Sequence, residues 1–387
     1  MTIATLAIFV IIPILSIPNT IVGMLTDRKF YKLYVALFSI AMGLLAYNML
    51  PIPEYDLSRY YLTMEDYSGN DFISNIQSIF IRLDSLSYLF MYVISLSGNV
   101  RLLQFVGVSI GYYLLLSVLL QLCKSRKYHW VLNLTFVCIF LSTFEFIHLY
   151  SGLRNYIAIG LFIMLLYKDM IKTGRLRSWM YFIPTLFHSS LIIPAILIYL
   201  LRRHLRFISM IFVTVISMLL PSLALVKAVL ARLPTSPILE SILDKLKWYD
   251  PNIQAMLSND YFIFKFLTFV AILFVLYIVR DVRDKLSEKH LALRKFIYFM
   301  IPITLAMIVN TTFFDRYMTL LYFVAYLYYI YIYKLLTNRK RALTISVFTI
   351  IGLITLYRQY IYISLLSTHT QWLDCREIGR ASCRERV

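Results

Sequence analysis

Residues 102–127 read LLQFVGVSIGYYLLLSVLLQLCKSRK. No charged side chain falls between Arg101 and Lys124. A helix of about 20 apolar residues covers the roughly 30 Å hydrocarbon core of a bilayer. The cations that close the run, Lys124, Arg126 and Lys127, mark a cytoplasmic end. Comparable runs recur along the chain, at roughly 3–24, 31–50, 130–148, 153–170, 206–226, 261–280, 296–313, 317–336 and 342–362. Two more segments, 79–98 and 179–201, are ambiguous. The alternating segments of a β-barrel are absent. The pattern predicts an all-α, polytopic transmembrane bundle with about 10–12 membrane helices.

Composition agrees. Of 387 residues, 60% are hydrophobic and 15% charged, and the mean hydropathy is +0.74. A soluble domain carries about a quarter charged residues. The net charge of +18 raises the possibility of nucleic acid. The excess sits in short loops between apolar runs, however, where it obeys the positive-inside rule, so no nucleic-acid partner is expected. The 31 Tyr and 27 Phe suit lipid-facing and interfacial belts. Four Cys lack the spacing of a disulfide framework or zinc site. The first run is too long for a cleavable signal and lacks a basic leader, so it reads as a span. Residues 377–387, from Glu377 to Val387, read like a translated sequencing adapter. Residues 1–376 are then one membrane domain whose native C-terminus is expected to be missing.

Lysine and arginine in short loops give an orientation. Arg28, Lys29 and Lys32 place the first loop in the cytoplasm, and Pro51–Asp71, with Glu54, Asp56, Glu65, Asp66 and Asp71, becomes an external acidic loop. Only one crossing fits between it and Lys124–Lys127, so 79–98, with Arg82 and Asp84, is predicted to be interfacial or re-entrant. Lys168, Lys172, Arg175 and Arg177 are cytoplasmic, as are Arg202, Arg203 and Arg206. Segment 179–201 should then enter and leave on one side, with Pro184 and Pro194 breaking its helix; a full crossing is the alternative. The basic stretches 280–295 and 338–341 put the Phe314-Asp315-Arg316 turn outside.

On this map four polar clusters converge on the external face: Asp56–Tyr60, Ser151–Asn155, Phe187–Ser190 and Asp315–Tyr317. Ionisable side chains near a helix centre cost at least about 2.5–3.5 kcal/mol each, so their retention marks a site. Arg154 and Asn155 open a helix, where a guanidinium and free backbone N–H groups favour an anion such as phosphate. Arg59 and Arg316 could add two planar, permanently charged forks. Alternatively, Arg316 pairs with its neighbours and Arg59 snorkels to lipid phosphates. Glu145, Asp56 and His188 are the candidate proton acceptors, with Asp315 beside them. Glu145 and His148, three apart, share a helix face as a base with its orienter or as a plain polar pair. His188 could equally be a hydrogen-bonded core histidine. Tyr60, Ser189 and Tyr317 are supporting polar groups. Glu54-Tyr55-Asp56 has the spacing of a cation-ligand pair, but that spacing is common, and neither a metal nor a cofactor is assigned. The chain has no Walker motif, G-x-S-x-G, H-E-x-x-H or dinucleotide fingerprint. A reaction on the outer face must then use an activated substrate already there.

The segments Asp56–Tyr61, Gly152-Leu153-Arg154-Asn155-Tyr156-Ile157-Ala158, Phe187-His188-Ser189-Ser190 and Asp315-Arg316-Tyr317-Met318, in this order, resemble the EpsG-type, Wzy-like bacterial polysaccharide polymerases. The resemblance covers most of residues 1–365. It implies a glycosyltransferase of the bacterial cytoplasmic membrane with its active site outside. Its substrates would be undecaprenyl-diphosphate-linked oligosaccharides, its product an exopolysaccharide, capsule or O-antigen, and a flippase and a chain-length regulator its possible partners. The architecture would be similar to the lipid-sugar-dependent (GT-C-like) transferases. In that role Arg154, Arg59, Arg316 and Asn155 bind the diphosphate, and Glu145, Asp56 or His188 takes the proton. Rival classes are a flippase for the same lipid-linked sugar, though no internal symmetry is visible, and a membrane O-acyltransferase. A purely structural assembly protein would leave the buried charges unexplained.

Overall fold

The computed structural model describes residues 2–27, 29–49, 51, 56–173, 178–202, 211, 215, 259–285 and 288–369. The predicted span at 206–226, the adapter-like tail, Glu54, and the loop cations Arg28, Arg175, Arg177, Arg203 and Arg206 lie outside the described residues, apart from the backbone at 211 and 215. The described chain is helical, with no strand. Its α-helices are α1 (Thr2–Ile11), α2 (Ile17–Thr26), α3 (Tyr31–Tyr47), α4 (Asp56–Gly69), α5 (Phe72–Phe80), α6 (Ser85–Ser95), α7 (Leu102–Ser125) and α8 (Trp130–Thr143). After these come α9 (Phe146–Ser151), α10 (Leu153–Leu166), α11 (Ile183–Phe187), α12 (Ile192–Arg202), α13 (Asn259–Ile278), α14 (Glu288–Ala306), α15 (Thr311–Ile332) and α16 (Asn338–His369).

Among the described residues three helices are long and apolar enough to cross a membrane: Leu102–Ser125, Thr312–Leu335 and Asn338–Ile361. Shorter apolar helices surround them. Several of the predicted spans are interrupted. Pro13 and Pro18 sit at the starts of a 3-10 turn and of α2 and split the run 3–24. The run 130–148 breaks where Phe144 and Glu145 adopt extended backbone, ending α8 and opening α9. Pro51–Asp71 also differs from the predicted loop, since residues 56–69 form α4, with Leu57, Tyr60, Tyr61, Met64 and Tyr67 buried along one side.

The central helix is α7. Gly107 and Gly111, one turn apart, leave room for Leu153 and Leu149: a Cβ on Gly107 would lie 2.8 Å from Leu153 Cδ2, and one on Gly111 2.6 Å from Leu149 Cδ1. Small residues at i and i+4 let apolar helices approach closely within a membrane. The side chains they admit flank the polar cluster, Leu149 following His148 and Leu153 preceding Arg154. Buried Gln104 fastens a second set of elements. Its Nε2 donates to Ala46 O at 2.5 Å and Met49 O at 2.9 Å, while its Oε1 accepts from Tyr61 Oη at 2.7 Å. One side chain thus ties α4 and the end of α3 to α7, satisfying groups that would otherwise be stranded.

The bundle has two unlike ends. At one, cations lie over tyrosine rings: Lys124 over Tyr31 at 3.5 Å, Arg126 over Tyr331 at 4.6 Å and Arg341 over Tyr333 at 5.1 Å. At the other end, the starts of α4, α9, α10 and α15 meet the Arg358 region of α16. On α16, Ile350, Leu353, Tyr357 and Tyr360 are exposed, as a lipid-facing surface requires.

Gly111→Leu should force α9 and α10 away from α7, since overpacking a filled core costs about 1–3 kcal/mol. Detergent-solubilised protein should unfold at a lower temperature than wild type. An unchanged melting temperature would show that this close approach does not hold the two helices.

Candidate active site

Three consecutive residues at the start of α15 reach into three polar groupings. Residues i, i+1 and i+2 of a helix point in different directions, and here each finds different company. Asp315 Oδ1 is 3.1 Å from Lys265 Nζ. Arg316 lies within electrostatic reach of Asp56 and Tyr60. Tyr317 Oη donates to Ser190 O at 2.8 Å.

The first grouping centres on buried Glu145. Lys265 Nζ lies 3.4 Å and Arg358 Nη1 3.7 Å from Oε1, while His148 Nε2 lies 2.8 Å from Oε2. Next to it, the Phe146 N–H donates to Gln359 Oε1 at 3.0 Å. Gln359 thereby serves a backbone group that the helix break would otherwise leave bare. His148 is the most accessible member, with 27% of its side chain exposed against 6% for Glu145. The imidazole therefore stands at the rim with the carboxylate behind it, a geometry that fits a base with its orienter and a plain polar pair alike.

The second grouping centres on Arg154. Its Nη1 donates to Asp84 Oδ2 at 2.8 Å, and its guanidinium lies 4.5 Å from the Tyr60 ring and 5.5 Å from that of Tyr88. Arg59 pairs with Asp56 one turn along α4 and is more open. Burial works to raise the Asp56 pKa, but Arg59, Arg154 and Arg316 outweigh it and hold the carboxyl below its usual range. The Asp56 carboxylate thus sits among three guanidinium groups. The Asn155 amide oxygen is buried without a hydrogen-bond partner.

The third grouping is a break in the segment 179–201. α11 ends at His188, whose backbone is extended, and α12 packs back against the 3-10 turn Ser178–Phe182, so the two arms lie side by side. His188 Nδ1 accepts from the Ser190 N–H at 3.2 Å and lies 2.8 Å from Ser190 Oγ. The buried imidazole caps a turn, and Ser189 is half-buried beside it.

Every candidate from the sequence thus lies at or beside one of three connected groupings. Asp84, Lys265, Arg358 and Gln359 were not among them. The signal for Lys265 and Arg358 was present, as each is a lone cation inside an apolar run, where charge calls for a function or a partner.

The EpsG family model matches residues 31–375. The chain belongs to the EpsG family. Membership points to a membrane protein with a polysaccharide-polymerase-like function. Comparison with curated proteins and with solved structures found no match.

Two outcomes follow for this EpsG-family protein. Lys265→Met leaves Glu145 and Asp315 without their shared cation; breaking a buried pair costs about 3–5 kcal/mol, and partial exposure of Asp315 places the loss nearer the lower figure. The melting temperature should fall, and Glu145→Gln in the same chain should recover part of the loss; a double variant no more stable than the single one would refute the shared pairing. Ion pairing at Asp56 contributes stability in full above the unfolded-state pKa of about 4 and loses it as the pH falls through the depressed folded value. Limited proteolysis between residues 56 and 69 should therefore increase on strong acidification, and Asp56→Asn should abolish that pH dependence.

Proposed function

We propose that this protein is an extracytoplasmic-face polysaccharide polymerase. It transfers a growing glycan from a prenyl diphosphate to a sugar hydroxyl of the next lipid-linked repeat unit. The observation that carries this reading is the gathering of Arg59, Arg154 and Arg316 around Asp56, next to the Glu145–His148 pair. Guanidinium forks suit a diphosphate, and the pair suits removal of a hydroxyl proton. Family membership supports the reading, as does the position of the cluster opposite the basic, tyrosine-capped end. By the positive-inside rule that basic end faces the cytoplasm, so the site faces outward across the cytoplasmic membrane. A GT-C-like helical frame is part of the same proposal.

In the reaction, the acceptor hydroxyl oxygen forms a bond to the anomeric carbon of the lipid-linked chain. The bond from that carbon to the phosphate oxygen breaks, and the diphosphate leaves with the electron pair. His148, held by Glu145, takes the hydroxyl proton. The arginines stabilise the negative charge growing on the leaving group, where fixed charges lower a barrier most. Undecaprenyl diphosphate is the proposed lipid, and the apolar surface of the bundle accommodates its chain.

Arg154→Lys keeps the charge but loses the planar fork and its stacking between Tyr60 and Tyr88. Polymer should fall at least tenfold, about 1.4 kcal/mol in barrier, with single lipid-linked units accumulating. Normal polymer length and yield would refute the role. Reconstituted wild-type protein given lipid-linked repeat units should yield polymer. Transbilayer movement without polymer would instead indicate a flippase, and acyl transfer an O-acyltransferase.

A further inference from the structure

Helices α5 and α6 stand at the arginine end of the bundle, and α5 has three unlike faces. Its nine residues carry no charge. Asn75 and Ile79 are buried against the protein, and Asn75 Nδ2 ties the helix to α4 by donating to Tyr67 O at 2.9 Å. Beside them Phe72, Ile73 and Phe80, with half-buried Ile76, fall within about 100° of arc at 100° per residue. These three are 66%, 64% and 67% exposed. Ser74, Gln77 and Ser78 fill the remaining arc and are exposed as well. Protein on one face, an apolar stripe on the next and a polar face on the third suit a helix lying where acyl chains meet water. Three or four side chains are too few for a stable protein partner, which covers about 20–30 residues a side. Val93 and Leu96, at the end of α6, add further exposed apolar surface.

Arg82 follows this helix. Its guanidinium lies 4.2 Å from the Tyr88 ring, and that of Arg154 lies 5.5 Å from the same ring. The Tyr67 phenol is within electrostatic reach of both. Two residues after Arg82 comes Asp84, the partner of Arg154 Nη1. The two arginines are otherwise unlike. The Arg154 side chain is 17% exposed and paired with Asp84, whereas Arg82 is exposed and makes no ion pair among the described residues. A guanidinium stacked on a ring keeps its N–H edge for an anion. We propose that α5 lies in the outer-leaflet interface, with Phe72, Ile73 and Phe80 against acyl chains, and that Arg82 there receives the diphosphate of a lipid-linked substrate ahead of Arg154. The inference rests on the polymerase reading above and adds a route to it. The prenyl chain stays in the leaflet beside α5, while the charged head passes along Tyr88 from the open arginine to the enclosed one.

The test titrates the full chain with undecaprenyl diphosphate and, in parallel, with phosphatidylglycerol, reading bound lipid by native mass spectrometry. Arg82→Gln should weaken undecaprenyl diphosphate binding about tenfold, the loss expected for a charge-assisted hydrogen bond. Phosphatidylglycerol binding should stay within about twofold. Should the glutamine variant fold poorly, Arg82→Lys, which keeps the charge without the fork, should also bind the diphosphate more weakly than wild type. Separately, Phe80→Trp in liposomes should be quenched by phospholipid brominated near the top of its acyl chains. An undecaprenyl diphosphate affinity within about twofold of wild type in the folded variant overturns the inference. An equal loss for both lipids also overturns it, since Arg82 is then a general headgroup anchor, and so does a tryptophan at position 80 that brominated lipid leaves unquenched. In each of these cases polymer formation by the wild-type protein leaves the polymerase reading standing. A wild-type protein that retains no undecaprenyl diphosphate overturns the inference, and one that also forms no polymer from lipid-linked units overturns both.

Discussion

A charge held away from water must be answered by an opposite one. Lys265 answers two. Its ammonium lies 3.1 Å from Asp315 and 3.4 Å from Glu145, while Arg358 approaches Glu145 from α16. Four helical regions far apart in sequence are joined through these contacts. Removing one partner leaves a buried charge uncompensated, so the network ties the positions of these helices to one another. The break between α8 and α9 belongs to the same arrangement. It lets the Glu145 carboxylate enter the cluster, and Gln359, next to Arg358, receives the backbone N–H released at the break. The interruption that shortens a predicted span is therefore what builds the site.

The start of α15 extends this logic. Asp315, Arg316 and Tyr317 cannot share a helix face, so one turn of helix serves three neighbours: the Lys265 network, the arginine group and the turn at His188. A shift of α15 would disturb all three together. Opposite them, the close approach of α7 to Leu149 and Leu153 fixes the helices that carry His148 and Arg154. Residues with no chemistry of their own, Gly107 and Gly111, thus set the distance between the two halves of the site.

Much of this was legible in the sequence. Apolar runs gave the helical membrane class, and the four polar clusters gave the end at which the site forms. The prolines at 184 and 194 gave the broken character of 179–201. Other features were not legible, for physical reasons. Helix breaks at Phe144–Glu145 carry no proline or glycine signal and exist because tertiary partners accept the freed groups. The α4 helix is amphipathic, and its polar residues disguised it as a loop. The meaning of Lys265, Arg358, Asp84 and Gln104 lies in pairings across more than 40 positions.

The two halves of the site differ in charge balance, and the difference bears on their division of labour. Around Arg154, the three cations Arg59, Arg154 and Arg316 face two acids, Asp56 and Asp84. Around Glu145, the two cations Lys265 and Arg358 face two acids, Glu145 and Asp315, with His148 at the rim. An incoming diphosphate lowers its energy most where positive charge is in excess, and it can loosen Arg59 from Asp56 without stranding a buried group, since that pair is the more open one. A balanced cluster gives an anion no such gain, but it holds a proton acceptor in a fixed orientation next to a neutral reactant. Under the proposed polymerase function, this charge difference would sort a lipid diphosphate to one side and a sugar hydroxyl to the other, with Arg316 and Asp315 adjacent on α15 between them.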